Sequence, residues 1–267
     1  MDGDMTPEVI AALLGGLVIA AITAPVGVSG AVFLLPFQVS ILAVPSPAVT
    51  PTNLLFNVIS VPGALARYRR HGTLRTSLTG QLLVGTLPGV VVGACVRVFV
   101  IPEAGIFRVL VALLLLPLGI SLLVKARSSG RSGSPKGAID RSLSVPVVIA
   151  MGAAAGVIGG VYGIGGGSLL APLLVVLGCS PSRVAPAALA STFITSCVGV
   201  AAYVLLAQMG EVAAAPAWEI AVAAGIGGLV GGYLGAAAQP YVPVRLLTGA
   251  LGVVSVAVAL FYLNSVL

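Results

Sequence analysis

Charged side chains are scarce in this sequence. Its 267 residues include 13 Lys and Arg and 7 Asp and Glu, so 7% of the chain is charged, against about 25% in an ordinary soluble domain. A soluble protein of this length must cover its surface with polar groups, and this chain has too few to do so. The composition excludes a water-soluble enzyme and a disordered chain. It predicts an integral membrane protein.

Sequence motifs of common catalytic and binding sites are also missing. There is no Walker A or GxGxxG sequence, and the three cysteines form no CxxC pair. The single histidine, His71, lies in a basic loop and not in an apolar run. The net charge of +6 is concentrated in short stretches between apolar runs, as membrane topology requires. We therefore expect no enzymatic activity, no catalytic residues, no metal or other cofactor, and no nucleic-acid partner.

Ten apolar runs, separated by glycine, proline or charged clusters, occupy most of the chain. Three of them, 8–23, 29–44 and 166–178, are shorter than the roughly 20 residues that cross a bilayer as a helix. They are predicted to be half-helices or re-entrant arms, broken at 25–30 and at 159–167. The other runs are long enough to cross fully: 49–66, 76–96, 104–124, 143–162, 184–207, 218–238 and 243–263.

The two halves of the chain resemble each other. The segment GVSGAVFLLP at 27–36 aligns with GIGGGSLLAP at 163–172, and weaker matches continue at nearly the same offset. The sequence thus divides into an N-terminal repeat, 1–124, a basic cytoplasmic linker, 125–142, and a C-terminal repeat, 143–267. With an odd number of crossings per half, the repeats are inverted, as in many secondary transporters. The predicted fold is an all-α polytopic membrane protein of two inverted repeats, each with a broken or re-entrant helix pair plus three spanning helices.

The distribution of basic residues orients the chain. If each broken pair returns to its starting side, only Arg97 and Arg108 lie outside. If each pair counts as one span, Arg183 and Arg245 also move outside, so the positive-inside rule favours the first arrangement. It predicts a multi-pass protein of the cell (inner) membrane with both termini extracytoplasmic. The residues it places in the cytoplasm are Arg67, Arg69, Arg70, Arg75, Lys125, Arg127, Arg131, Lys136, Arg141, Arg183 and Arg245.

The glycine breaks are the strongest candidates for a binding site. No charged residue is predicted well inside a span, so a substrate must be held by backbone and neutral polar groups, and a proton relay through a buried carboxylate is not available. The N-terminus of a helix offers unpaired N–H groups and a positive dipole end, which favour an anion. The predicted substrate-binding residues at the two breaks are Gly27, Ser29, Gly30, Gly163, Gly165, Gly166, Gly167 and Ser168.

Polar residues on the helix that follows each break complete the predicted site. These are Asn53 and Asn57 in the first half and Ser191 and Thr192 in the second. Hydrogen bonding between helices explains these four equally well. Arg183 is predicted to guide an anion in. The tyrosines Tyr68 and Tyr203 are predicted to lie at the membrane interface. Glycines spaced four apart are predicted to be packing faces: Gly85, Gly89 and Gly93; Gly152, Gly156 and Gly160; Gly227, Gly231 and Gly235.

At these residues the sequence resembles the sulfite exporter TauE/SafE family of probable membrane transporter proteins. The resemblance covers nearly the whole chain and is most specific at GIGGGSLLAPLL, 163–174. The N-terminal half departs from it, with a reduced glycine motif at 27–30 and Ala48 where the second half has Arg183. The resemblance implies transport, often outward, of a small sulfur oxyanion or organosulfonate across the lipid bilayer. The glycine faces would permit a homodimer.

The membrane potential can supply the driving force for such transport. An inside-negative potential drives an anion outward with about 2.3 kcal/mol per charge per 100 mV and needs no coupling carboxylate. The sequence hypothesis is therefore an electrogenic exporter. A channel-like anion pore and a non-transporting membrane scaffold protein remain as alternatives.

Overall fold

The protein is helical throughout its described part. The computed structural model describes residues 6–26, 28–69, 77–128, 144–177, 179, 181–210, 214–239 and 241–266, and these contain no β-strand. A π-helical segment, Val96–Val100, extends the fourth helix. The ten α-helices are α1 Pro7–Val26, α2 Gly30–Ser40, α3 Val49–Arg69, α4 Ser77–Cys95, α5 Ala104–Ser128, α6 Val145–Tyr162, α7 Gly166–Val176, α8 Pro181–Gln208, α9 Trp218–Ala238 and α10 Val244–Asn264.

Seven helical segments of the described chain are long and apolar enough to cross a membrane: Pro7–Val26, Ser77–Val100, Ala104–Arg127, Val145–Tyr162, Arg183–Gln208, Trp218–Ala238 and Val244–Asn264. The prediction that the first run is too short to cross is wrong, because α1 has 20 residues and continues through Pro25. The predictions for the two other short runs are confirmed, since α2 and α7 have 11 residues each.

Each short helix folds back along the helix before it. In the first pair, a Cβ on Gly15 of α1 would overlap the Phe37 ring of α2, while Gly30 at the start of α2 lies beside Thr23 near the end of α1. In the second pair, Leu174 near the end of α7 belongs to the same apolar cluster as Val148 near the start of α6. Both breaks are therefore the tips of helical hairpins, in which the short helix runs back along the helix before it.

The glycine faces pack helices from different halves against each other, as predicted. Helices α4 and α6 approach so closely that a Cβ on Gly89 would lie 2.5 Å from the Ala153 carbonyl oxygen, and one on Gly160 would lie 2.5 Å from that of Val90. Helices α1 and α9 pack in the same way. The paired residue numbers rise together in both interfaces, so the helices of each pair are parallel. In the second interface the pairs are Leu13 with Gly227, Leu17 with Gly231 and Ala21 with Gly235.

Helices α5 and α10 form a third pair, which is antiparallel. Gly119 of α5 faces Ser255 of α10, and Gly252 faces Leu123. The central helices α3 and α8 contact each other, and α3 also packs on α9 as α8 packs on α4. The polar side chains of α3 and α8 therefore lie in the interior of the bundle. The predicted linker, 125–142, lies mostly outside the described residues, so its role as a boundary stays a prediction.

Candidate functional site

A sharp turn at Gly163–Gly165 separates α6 from α7. Gly163 has φ +75° and Gly165 has φ +71°, in the left-handed region where a side chain is strained. Gly165 is the residue that precedes the first turn of α7, and no side chain caps this N-terminus. The first N–H groups of α7 therefore stand at a buried helix end with the positive pole of the helix dipole.

Polar side chains of α3 and α8 bind the carbonyl groups at the end of α6. Thr50 Oγ1 donates to the Val161 carbonyl at 3.0 Å, and Asn57 Nδ2 donates to that of Gly163 at 3.3 Å. The Tyr203 hydroxyl donates to the Gly160 carbonyl at 2.8 Å. The final carbonyls of a helix lack intrahelical partners, so these bonds satisfy them in the absence of water. Asn57 thus has a structural role at the break.

Asn53 joins the two breaks. Its Nδ2 donates to the Ala31 carbonyl in the first turn of α2, at 2.9 Å. Asn53 also lies against the second break, because a Cβ atom on Gly163 would be 3.2 Å from the Asn53 Cβ. The starting turn of α2 and the turn before α7, which are far apart in the sequence, therefore meet at one buried asparagine. This proximity was expected only from the repeat, and the structure supplies the side chain that mediates it.

The hydroxyl-bearing face of α8 lies against the glycine turn. A Cβ on Gly165 would lie 2.7 Å from Thr192 Cγ2 and 3.2 Å from Ser196 Oγ, and one on Gly167 would lie 2.6 Å from Thr192 Oγ1. Ser191, which is also buried, has its Oγ 3.2 Å from Thr86 Oγ1 of α4. The absence of side chains at 165 and 167 is what permits these hydroxyl groups to reach the start of α7.

Two polar atoms at this junction lack a partner in the structure. Asn53 Oδ1 and Ser196 Oγ are buried and make no hydrogen bond, and the same holds for both side-chain polar atoms of Gln38 in α2. A buried polar group without a partner is unfavourable. The start of α7 and Ser196 Oγ can donate hydrogen bonds, and Asn53 Oδ1 can only accept one. The N–H and hydroxyl donors suit the oxygens of a small anion.

The other predicted residues that the structure describes add no side-chain donor or acceptor to this junction. Arg183 is exposed in the first turn of α8, nine residues before Thr192, which is about 14 Å along the helix axis. Ser29 precedes α2 and its side chain does not cap that helix. The Ser168 hydroxyl donates to the Ile164 carbonyl at 2.8 Å. Gly166 is buried beside Thr86. Gly27 lies outside the described residues.

Among the described residues, one charged residue is buried within the protein, near the end of its span and not well inside it. Arg97 is 0% exposed, within the membrane-spanning segment Ser77–Val100 and close to its end. Its guanidinium group donates to the Ile101 carbonyl and to Ser46 Oγ, and it lies 4.1 Å from the centre of the Phe107 ring. These contacts accompany the burial of the charge, which lies in the π-helical segment.

Tyr203, which the sequence predicted at the membrane interface, is fully buried inside the protein and does not face the lipid headgroups. Its partner in the repeat, Tyr68, has no described side chain. Sequence reasoning also missed Thr86, whose Oγ1 accepts a hydrogen bond from Thr195 at 3.1 Å. The sequence signal that could have indicated Thr86 was a lone threonine between Gly85 and Gly89 on a packing face.

The three carboxylates within the described residues are exposed: Glu8, Glu103 and Glu219.

Comparison with known proteins agrees with this architecture. The model of the sulfite exporter TauE/SafE family matches residues 12–262. The chain is 26% identical over 242 residues to a Bacillus subtilis protein named "Probable membrane transporter protein YunE", a match that covers 83% of this chain and 85% of that protein. No solved structure matches the chain significantly. Since the family match spans all ten helices, this multi-pass membrane protein belongs to the TauE/SafE family of membrane transporters.

Proposed function

We propose that this protein exports a small sulfur-containing anion, of the sulfite or organosulfonate class, by an electrogenic mechanism. The observation that carries the proposal is the junction of the two helix breaks at Asn53, which donates to Ala31 and lies against Gly163. Family membership supplies the substrate class. The uncapped start of α7 and the Ser196 hydroxyl supply neutral donors that suit an oxyanion or a sulfonate.

The directions of the helices support an inverted-repeat transporter. Helix α1 is parallel to α9, α6 is parallel to α4, and α5 is antiparallel to α10. Helices that cross in succession with short connections reverse direction, so α4 opposes α5 and α9 opposes α10. Together these relations make α1 antiparallel to α6, as two inverted repeats require. The binding site would then lie at the interface between the repeats, which is the usual location in such transporters.

Proton coupling through a buried carboxylate has no support in the described residues. Glu8, Glu103 and Glu219 are exposed, and none approaches the glycine turn through a hydrogen bond. An anion moving outward gains about 2.3 kcal/mol per charge per 100 mV of inside-negative potential. This is enough for an approximately 50-fold concentration ratio of a monovalent anion. Transport driven by the potential alone is therefore sufficient for export.

Proteoliposomes loaded with sulfite test the proposal. A potassium gradient with valinomycin sets the potential, and sulfite release is measured with a sulfite-reactive dye. We expect release to saturate with sulfite concentration, to rise as the potential driving anion exit increases, and to be inhibited by methanesulfonate added on the release side. Sulfite release that depends on a pH gradient and does not change with the potential would overturn the electrogenic mechanism. Release without saturation or competition would instead identify a channel-like pore.

A further inference from the structure

We propose that Arg97 is the cationic group of the anion pathway, and that it forms an ion pair with the transported anion at a position separate from the glycine turn. The inference rests on the proposed function and extends it, because the site as described so far contains only neutral groups. It makes Arg97 a binding residue for the charge of the substrate.

The contacts that the structure gives to Arg97 are all with neutral groups. The acceptors of its Nη atoms are a backbone carbonyl and a serine hydroxyl, and the third contact is the face of Phe107. Its Nε has no partner within the described part of the chain. The carboxylates of that part, including the nearby Glu103, are exposed. A buried guanidinium normally has an anionic partner, and here the protein leaves one donor free for it.

Aromatic contacts connect Arg97 to the glycine turn. The guanidinium lies 4.1 Å from the centre of the Phe107 ring, and the Phe107 ring centre lies 6.3 Å from that of Tyr162. Tyr162 is the last residue of α6 and directly precedes Gly163. Tyr162 is itself fixed by donating to the Leu110 carbonyl at 2.9 Å. An anion leaving the uncapped start of α7 therefore has a buried cation two ring contacts away.

Arg97 could also serve only to hold the outer loops together. Ser46, which accepts from Arg97, itself donates to the Pro102 carbonyl at 3.0 Å, so the three residues link the segment before α3 to the segment before α5. This role is separable from anion binding. Substitution Ser46→Ala removes the hydroxyl that makes the link and keeps the guanidinium charge. Substitution Arg97→Gln removes the charge and keeps a polar side chain.

The test is sulfite binding to the purified full-length protein, measured by isothermal titration calorimetry, together with thermal unfolding. We expect Arg97→Gln to raise the Kd for sulfite at least about tenfold, the loss of a charge-assisted hydrogen bond. Arg97→Lys should weaken binding by about threefold, because it keeps the charge and loses the planar donor set. The matched control Arg108→Gln removes the same charge from a half-buried position on α5 and should leave the Kd within about twofold.

The outcomes separate the inference from the proposed function. Wild-type binding of sulfite that Arg97→Gln leaves unchanged would overturn the role of Arg97 and keep the function. Equal weakening by Ser46→Ala and Arg97→Gln would also overturn it, in favour of the structural link. If Arg97→Gln does not fold, the Kd values of Arg97→Lys and Ser46→Ala are compared. Weaker sulfite binding in Arg97→Lys alone would support the role of Arg97, and equal weakening in both variants would overturn it. Arg97-dependent binding of bromide without any binding of sulfite would support the cationic site and overturn the sulfur substrate. No anion binding at all would overturn both.

Discussion

Asn57 Nδ2 donates a hydrogen bond to the backbone carbonyl of Gly163, 3.3 Å away, and so attaches α3 to the break between α6 and α7. The sequence places these residues more than one hundred positions apart, in different halves of the chain. The bond accounts for an amide in the middle of an apolar helix, and it means that substitutions at position 57 act on the shape of the break.

Substitution Asn57→Leu should destabilise the protein. It removes the donor to the Gly163 carbonyl and leaves that carbonyl buried, which costs about 1–3 kcal/mol. Thermal unfolding of the detergent-purified protein measures the effect. The control is Thr248→Val, which removes a buried hydroxyl that bonds only within its own helix, to the Val244 carbonyl. An unfolding temperature equal for Asn57→Leu and wild type would show that the bond contributes nothing.

Substitution Ser196→Ala should weaken transport without destabilising the fold. The Ser196 hydroxyl is buried near Gly165 and has no hydrogen-bond partner among the described residues. We expect the KM for sulfite to rise by at least about tenfold, the cost of one lost hydrogen bond to an anion. The control Thr195→Val removes the neighbouring hydroxyl, which donates to Thr86, and should lower the unfolding temperature. An unchanged KM in Ser196→Ala would place the anion elsewhere.

Substitution Gly167→Ala should disrupt the hairpin. A Cβ at this position would overlap the Ala188 carbonyl oxygen, which belongs to the backbone of α8 and cannot rotate away. Overpacking of this kind costs about 1–3 kcal/mol, so the unfolding temperature should fall. Gly232→Ala is the control, since a Cβ there would meet no atom within 4 Å and should be tolerated. Equal stability of both variants would contradict the close approach of α7 and α8.

The proposed topology places both termini outside and the basic linker inside. Alkaline phosphatase, which is active only outside the cytoplasm, should be active when fused after Leu267 and inactive when inserted after Gly133. Green fluorescent protein at the same two positions should show the opposite pattern, because it does not fluoresce after export in unfolded form. Active phosphatase at the linker position would reverse the proposed orientation.

The prediction of helices succeeded where a single physical rule was decisive. Apolar length identified the spans, and the glycine-rich turn at 163–165 was located because consecutive glycines break a helix. The predicted break at 25–30 also agrees with the structure, but the first run was taken as too short: α1 continues through Pro25 to Val26 and gains the length to cross. Proline in a transmembrane helix is tolerated when neighbouring groups satisfy the freed carbonyls.

Composition and periodicity by themselves determined that this is a helical membrane protein with two glycine breaks and glycine packing faces, because lipid solvates no unpaired backbone. Tertiary structure alone decided which groups surround the breaks. Asn53 meets Ala31 and Gly163, Thr86 reaches the hydroxyls of α8, and Arg97 turns inward from the end of α4. These contacts depend on the rotation and crossing of helices distant in sequence, which a local pattern does not encode. The buried charge of Arg97 was hidden for the same reason: a basic residue at the end of a span can face water or the interior, and only packing decides between them.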